Sequence, residues 1–227
     1  MTAREPNEFL PRIGDIAELQ TRWVDHWHET SPVAKPDTSS DLDGLVGNQH
    51  RFNFLLWHEE DRARIPDADD ATIANVKRSI DRLNQQRNDA IEAIDDAIET
   101  CLIHAGVAVT SDTLPHTESL GSVIDRLSIL ALRQYHLREE IQRRRPIADP
   151  DPCQSVPIET SDDDDWINQK LQLCVTQRHW LIQSGQQLAD DLTNGRRRHV
   201  TTRSLKLYND PKLNPQIYLR QRDNRSP

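Results

Sequence analysis

Glycine is scarce in this 227-residue chain, seven in all, and alternating polar and apolar stretches of the kind that build half-buried strands are hard to find. Charged helix formers are plentiful instead, with 29% of residues charged, so an all-α fold is expected. Cysteine is nearly absent. Cys101, Cys153 and Cys174 are an odd number without CxxC spacing, which argues against a disulfide framework or a cysteine-built zinc site and reads as reduced thiols. No apolar run reaches the length that crosses a bilayer, and the first residues, MTAREPNEFLPRIGD, lack the apolar core of a signal peptide. A cytoplasmic protein without a membrane span is expected. Positive charge is also in deficit, 28 Lys and Arg against 37 Asp and Glu, for a net −9. Nucleic-acid binding rests on a basic surface that neutralises phosphates, and the short run Arg196-Arg197-Arg198 does not supply one.

Familiar catalytic signatures are missing as well. His58-Glu59 is followed by Glu60-Asp61-Arg62, so there is no HExxH, and no core stripe carries the ExxH pairs of a di-iron bundle. A GxSxG elbow, a P-loop and a GxGxxG turn are absent.

What is present is helical periodicity, in five segments near 13–28, 45–64, 71–104, 117–144 and 162–194. The expected organisation is an N-terminal helix and linker (1–44), then a helical hairpin with a central helix (45–145). A second linker (146–161) leads to a C-terminal helix and docking tail (162–227), the whole forming one main domain. The connector ETSPVAKPDTSSDLDG and the linker PIADPDPCQSVPIETS read as loop. The fourth segment, apolar nearly all round, reads as central. Ser161 before four aspartates reads as an N-cap, and Gly106 and Gly195 as helix stops. The five tryptophans read mostly as helix-packing residues, with Trp57 set apart beside a polar stripe.

Ile73–Ile98 is the most informative stretch. At about 100° per residue, Lys77, Asp81, Asn84, Asn88, Glu92 and Asp95 share a sector of roughly 80°. It lies beside the apolar arc of Ile73, Val76, Ile80, Leu83, Ile91, Ile94 and Ile98, from whose middle Arg87 projects. Burying the arc must bring polar groups inward, and those need partners. The segment before it, NFLLWHEEDRAR, puts Asn53, Glu60 and Arg64 on one stripe beside Trp57; the two should pack antiparallel. Asp125 sits among apolar neighbours in the fourth segment and needs a cation, with Arg64 and Arg87 as candidates.

Two readings follow, a structural network that fixes helix register or a site. As a site, Arg64, Lys77 and Arg87 would hold a phosphate, Asn53, Asn84 and Asn88 would orient hydroxyls, Trp57 would stack, and Asp125 would anchor the cations. Glu60, Asp81, Glu92 and Asp95 supply oxygens suited to Mg²⁺ or Mn²⁺. The Glu92-x-x-Asp95 spacing is similar to one half of the all-α nucleotide pyrophosphatase motif, but Trp57 stands where the first Glu of the other half belongs.

The blocks NFLLWHEEDRAR, KRSIDRLNQQRNDAIEAID, ESLGSVIDRLSILALR and KLYNDPKLNP, in that order from about Asn48 to Tyr218, resemble a bacterial domain-of-unknown-function family, number 4254. The resemblance implies no established activity. It implies a setting among genes for cell-envelope polysaccharide and glycosyl transfer, and hence a glycosyltransferase-type protein partner. The matching motif positions are Asn53, Trp57–Asp61 and Arg64, then Lys77, Asp81, Asn84, Arg87–Asp89, Glu92 and Asp95, then Asp125 and the Asn209-Asp210 pair of a tail that seals the core or closes as a lid. Three functions therefore stand open: a binding protein for a phosphorylated sugar or nucleotide, an Mg²⁺-dependent phosphohydrolase, and a structural adaptor for a partner enzyme.

Overall fold

A computed structural model describes residues 9–30, 41–144, 162–201, 203 and 212–215, with side chains of the last helix from residue 165 onward. It contains α1 (Ile13–Thr30), α2 (Leu42–Arg62), α3 (Asp70–His104), α4 (Leu120–Arg144) and α5 (Asp162–Thr193). No strand occurs among the described residues, so the fold is an all-α bundle. No helix among them is long and apolar enough to cross a membrane.

Capping chemistry sets most helix ends. α2 starts three residues before the expected Leu45, because the Asp41 carboxylate accepts the Gly44 N–H at 2.8 Å and satisfies an orphan donor. The stretch DLDG, read as connector, is therefore cap and first turn. Asp69 does the same for α3 through the Thr72 N–H at 2.7 Å. α4 starts at Leu120, not near Thr117, where the Ser119 hydroxyl accepts the Ser122 N–H at 3.2 Å. Gly106 and Gly195 follow α3 and α5 at φ 70° and 65°, left-handed values that cost glycine little. The cap expected at Ser161, Cys153 and the Asn209-Asp210 pair lie outside the described residues.

α4 is the central helix, as its all-round apolar pattern implies, and packs on all four others. Its Leu120, Ile124 and Leu127 join Ile13 and Ile16 of α1, Ile94 and Ile98 of α3, and Leu188 and Leu192 of α5 in the main core. Each such side chain contributes about 1.5–3 kcal/mol when fully buried. α2 and α3 form a hairpin with its own apolar seam of Leu56, Val76, Ile80 and Leu83. An aromatic cluster of Trp27 and Phe54, with Val24 and Leu132, joins α1, α2 and α4. Trp166 and Trp180 depart from the expected packing role: they are 56% and 59% exposed on α5.

Gly121 lets the α4 backbone pass close to α3: a Cβ there would stand 2.8 Å from the Ile91 carbonyl oxygen. After α5 the chain runs back along α3. Arg198 bridges to Pro115, the His199 Nε2 lies 3.0 Å from the Asp95 carbonyl, and Arg203 pairs with Glu92 and Asp96.

Candidate functional site

Asp125 is the centre from which the polar interior is built. α4 holds it at 4% exposure, and two helices, α2 and α3, supply its partners. On α2, Gln49 and Asn53 are four residues apart and so face the same way. Gln49 Nε2 and Asn53 Nδ2 donate to Asp125 Oδ1 at 2.6 and 2.9 Å. From α3, Arg87 Nε donates to the same oxygen at 2.7 Å while Nη2 donates to Oδ2. The bidentate pair satisfies the planar demands of both groups. The Asp125 carboxylate holds the Arg87 guanidinium above its ordinary pKa, against the lowering effect of burial.

One turn along α4, the Ser128 hydroxyl accepts a bond from Asn53 Nδ2 at 2.9 Å and lies 2.7 Å from His50 Nδ1. His50 is fully buried against Trp23 and Trp27, and burial lowers its pKa to about 3, so the ring is neutral. Gln20 of α1 extends the network, donating to the Ile124 carbonyl at 3.0 Å.

Above this floor lies a cleft of about 410 Å³ between α2, α3 and α4. The α2 stripe that starts at Gln49 and Asn53 continues outward as Trp57, Glu60, Asp61 and Arg64. Asn84 and Arg87 form the α3 wall, and Leu56, Ile129 and Leu132 give it an apolar lining. The volume falls within the range of small-molecule pockets. Of the expected ligand-binding residues, Asn53, Trp57, Arg64, Asn84 and Arg87 line this cleft and Asp125 holds its floor. Arg64 is not the partner of Asp125; it pairs with Glu60 at the exposed rim. Lys77 is exposed and bonded to Asp81, outside the cleft lining, and Asn88 is half-buried outside it too.

The four oxygen donors suggested for Mg²⁺ or Mn²⁺ are not brought together. Glu60 faces Arg64, Asp81 faces Lys77, Glu92 meets Arg203, and Asp95 accepts the Gly121 N–H at 2.8 Å. Burial raises the Asp95 pKa, opposed by its hydrogen bonds. The polar stripe of α3 thus changes character along its length, from solvent at Lys77 and Asp81 to full burial at Asp95.

Gln49 escaped sequence reasoning, although its position one turn before Asn53 was a signal that could have placed it. The role of His50 rests on α1 tryptophans that local spacing on α2 does not reveal.

No curated protein and no solved structure matches the chain. A family model described as "Protein of unknown function (DUF4254)" matches residues 43–201, a span holding α2, α3, α4, α5 and hence every wall of the cleft. The chain belongs to the DUF4254 family.

Proposed function

We propose that the cleft binds a sugar-bearing phosphate ester, with the sugar inside and the phosphate at the rim. One observation carries this reading: the Asp125 carboxylate at the floor is engaged by Arg87, Gln49 and Asn53, while the walls keep free hydrogen-bonding groups. Asn53 spends its amide nitrogen on Asp125 and Ser128, which leaves its oxygen as an acceptor. Asn84 bonds to no other described residue and offers both a donor and an acceptor. Beside these amides stands the Trp57 ring, an apolar surface suited to the C–H face of a sugar.

Charge decides where a phosphate goes. Arg87 is neutralised by Asp125, and Glu60 and Asp61 make the wall acidic, so the cleft interior is a poor anion trap. Arg64 at the rim is held by an exposed i,i+4 pair with the Glu60 carboxylate and a bond to the Glu60 carbonyl, and an exposed pair of this kind is weak and easily exchanged. The glycan-assembly setting that the family resemblance implies is in keeping with such a ligand.

Thermal unfolding with glucose, glucose 1-phosphate and UDP-glucose, each with and without Mg²⁺, tests this. A ligand at a hundredfold its Kd stabilises by about 2.7 kcal/mol. The phosphate esters should raise the Tm without metal, and Arg64→Ala should remove most of their advantage over glucose. A gain that requires Mg²⁺ favours the phosphohydrolase instead.

The adaptor reading draws on another face. Trp166, Leu173 and Trp180, seven residues apart on α5, are 56%, 49% and 59% exposed and share one side of the helix. Cross-links from a protein partner to this stripe, with no ligand registering in the cleft, would favour it.

A further inference from the structure

Three histidines from three helices meet beside the cleft: His28 of α1, His58 of α2 and His136 of α4. One ring nitrogen of each lies within 4.8 Å of the others. Among the described residues this is the one group of histidine, cysteine or carboxylate side chains whose donor atoms converge in this way. The rings stand edge to face, with centroids 5.3 Å apart for His28 and His58, 5.0 Å for His28 and His136, and 5.8 Å for His58 and His136.

Their hydrogen bonds fix which nitrogens are available. His28 Nδ1 donates to the Val24 carbonyl at 2.8 Å, and a carbonyl can only accept, so the proton sits on Nδ1 and Nε2 carries the lone pair. His136 Nδ1 donates at 3.4 Å to the Glu139 carboxylate, which leaves its Nε2 in the same state. Both Nε2 atoms are buried and have no hydrogen-bond partner. Buried lone pairs without donors are uncommon and call for an occupant. A carbonyl or carboxylate on the far nitrogen is how metal-binding histidines are oriented and made more basic. His58 makes no hydrogen bond to another described residue, so neither of its ring nitrogens is committed elsewhere.

Aromatic walls hold the trio. Tyr135 stacks on His28 at 3.8 Å, Trp57 stacks on His136 at 4.7 Å, and Phe54 packs edge-on against both His28 and His58. We propose that His28, His58 and His136 bind a borderline divalent transition metal, Zn²⁺ in the first instance, through three neutral imidazoles. Imidazole nitrogens suit Zn²⁺, Cu²⁺ and Ni²⁺, whereas Mg²⁺ and Ca²⁺ require oxygen. Tetrahedral Zn²⁺ with bonds of 2.0–2.1 Å places its ligand nitrogens about 3.3–3.4 Å apart, so the trio must contract by roughly an ångström, within the reach of side-chain rotation. Three protein ligands leave a fourth position for water or an incoming donor. Trp57 both backs His136 and lines the cleft, so the two sites share a wall. The metal site nevertheless stands independently of what the cleft binds.

The test is a Zn²⁺ titration of untagged, chelator-treated full-length protein, followed by calorimetry and by the imidazole ¹⁵N resonances. One equivalent should bind and shift three of the nine histidines. Replacing His28, His58 and His136 in turn should identify those three. Glu139→Gln, which keeps all three ligands, should weaken binding about 10–100-fold, and His58→Gln should weaken it further. A wild-type chain that binds no stoichiometric Zn²⁺, or whose shifted resonances belong to other histidines, overturns the proposal.

Discussion

Arg87 grips both oxygens of Asp125, with Nε on Oδ1 at 2.7 Å and Nη2 on Oδ2, so one ion pair ties α3 to α4 directly beneath the cleft. Gln49 and Asn53 crowd onto Oδ1 from α2. Removing one partner of a buried pair leaves an uncompensated charge and typically costs about 3–5 kcal/mol. Asp125→Asn should fall in that range. Arg87→Gln should cost less, because the carboxylate keeps two amide donors and the arginine is the more exposed partner. The double variant should be more stable than the sum of the single losses implies, since the residues form one network. Urea unfolding of the three variants measures this.

Gly121 is where α4 has no room for a side chain. A Cβ there would lie 2.7 Å from Asp95 Oδ1 and 2.8 Å from the Ile91 backbone oxygen. Backbone cannot swing aside, so Gly121→Ala must part the helices or break the Asp95 bond to the Gly121 N–H. A loss of about 1–3 kcal/mol is expected. Gly14→Ala, which meets nothing within 4 Å, is the control and should be nearly neutral.

His50 makes stability depend on pH in a defined direction. Its pKa is about 3 in the folded chain and about 6.5 when unfolded. Between those values the unfolded state binds the extra proton, so stability falls as pH drops below about 6.5, at up to ~1.4 kcal/mol per pH unit. Above that pH the residue contributes no slope. His50→Asn should flatten the dependence between about pH 7 and 5, as read from unfolding free energies at each pH, whatever it does to the absolute stability.

Helices were legible because their spacing and caps are local. The all-round apolar pattern of Val123 to Leu132 was enough to name the central helix, and Gly106 and Gly195 were enough to end α3 and α5. Asp41 was misread because Ser, Pro and Asp in a row look like loop until the Gly44 N–H supplies a capping partner. The pairing of Asp125 with a guanidinium was also legible, since a carboxylate among leucines needs one.

What the sequence could not tell is which part of a stripe another helix covers. Lys77 and Asp81 share a face with Asp95, yet only the second half of α3 meets the start of α4, so two residues stay in water and the third is sealed against Gly121. Glu92 and Asp95 look like one ligand pair by spacing but meet different partners, Arg203 and Gly121. His28, His58 and His136 carry no common spacing at all. They meet only because α1, α2 and α4 cross at one end of the aromatic cluster.

The central claim is that the cleft over Asp125 receives a ligand and is more than the outer surface of a register-setting network. Calorimetric titration of UDP-glucose into the wild type and Asn84→Ala, with the Tm of each free protein recorded alongside, tests it most directly. The Asn84 amide bonds to no described residue, so the account predicts at least about tenfold weaker binding with an unchanged Tm. Saturable binding that Asn84→Ala leaves intact, or no binding by the wild type together with a lower Tm in the variant, would contradict it.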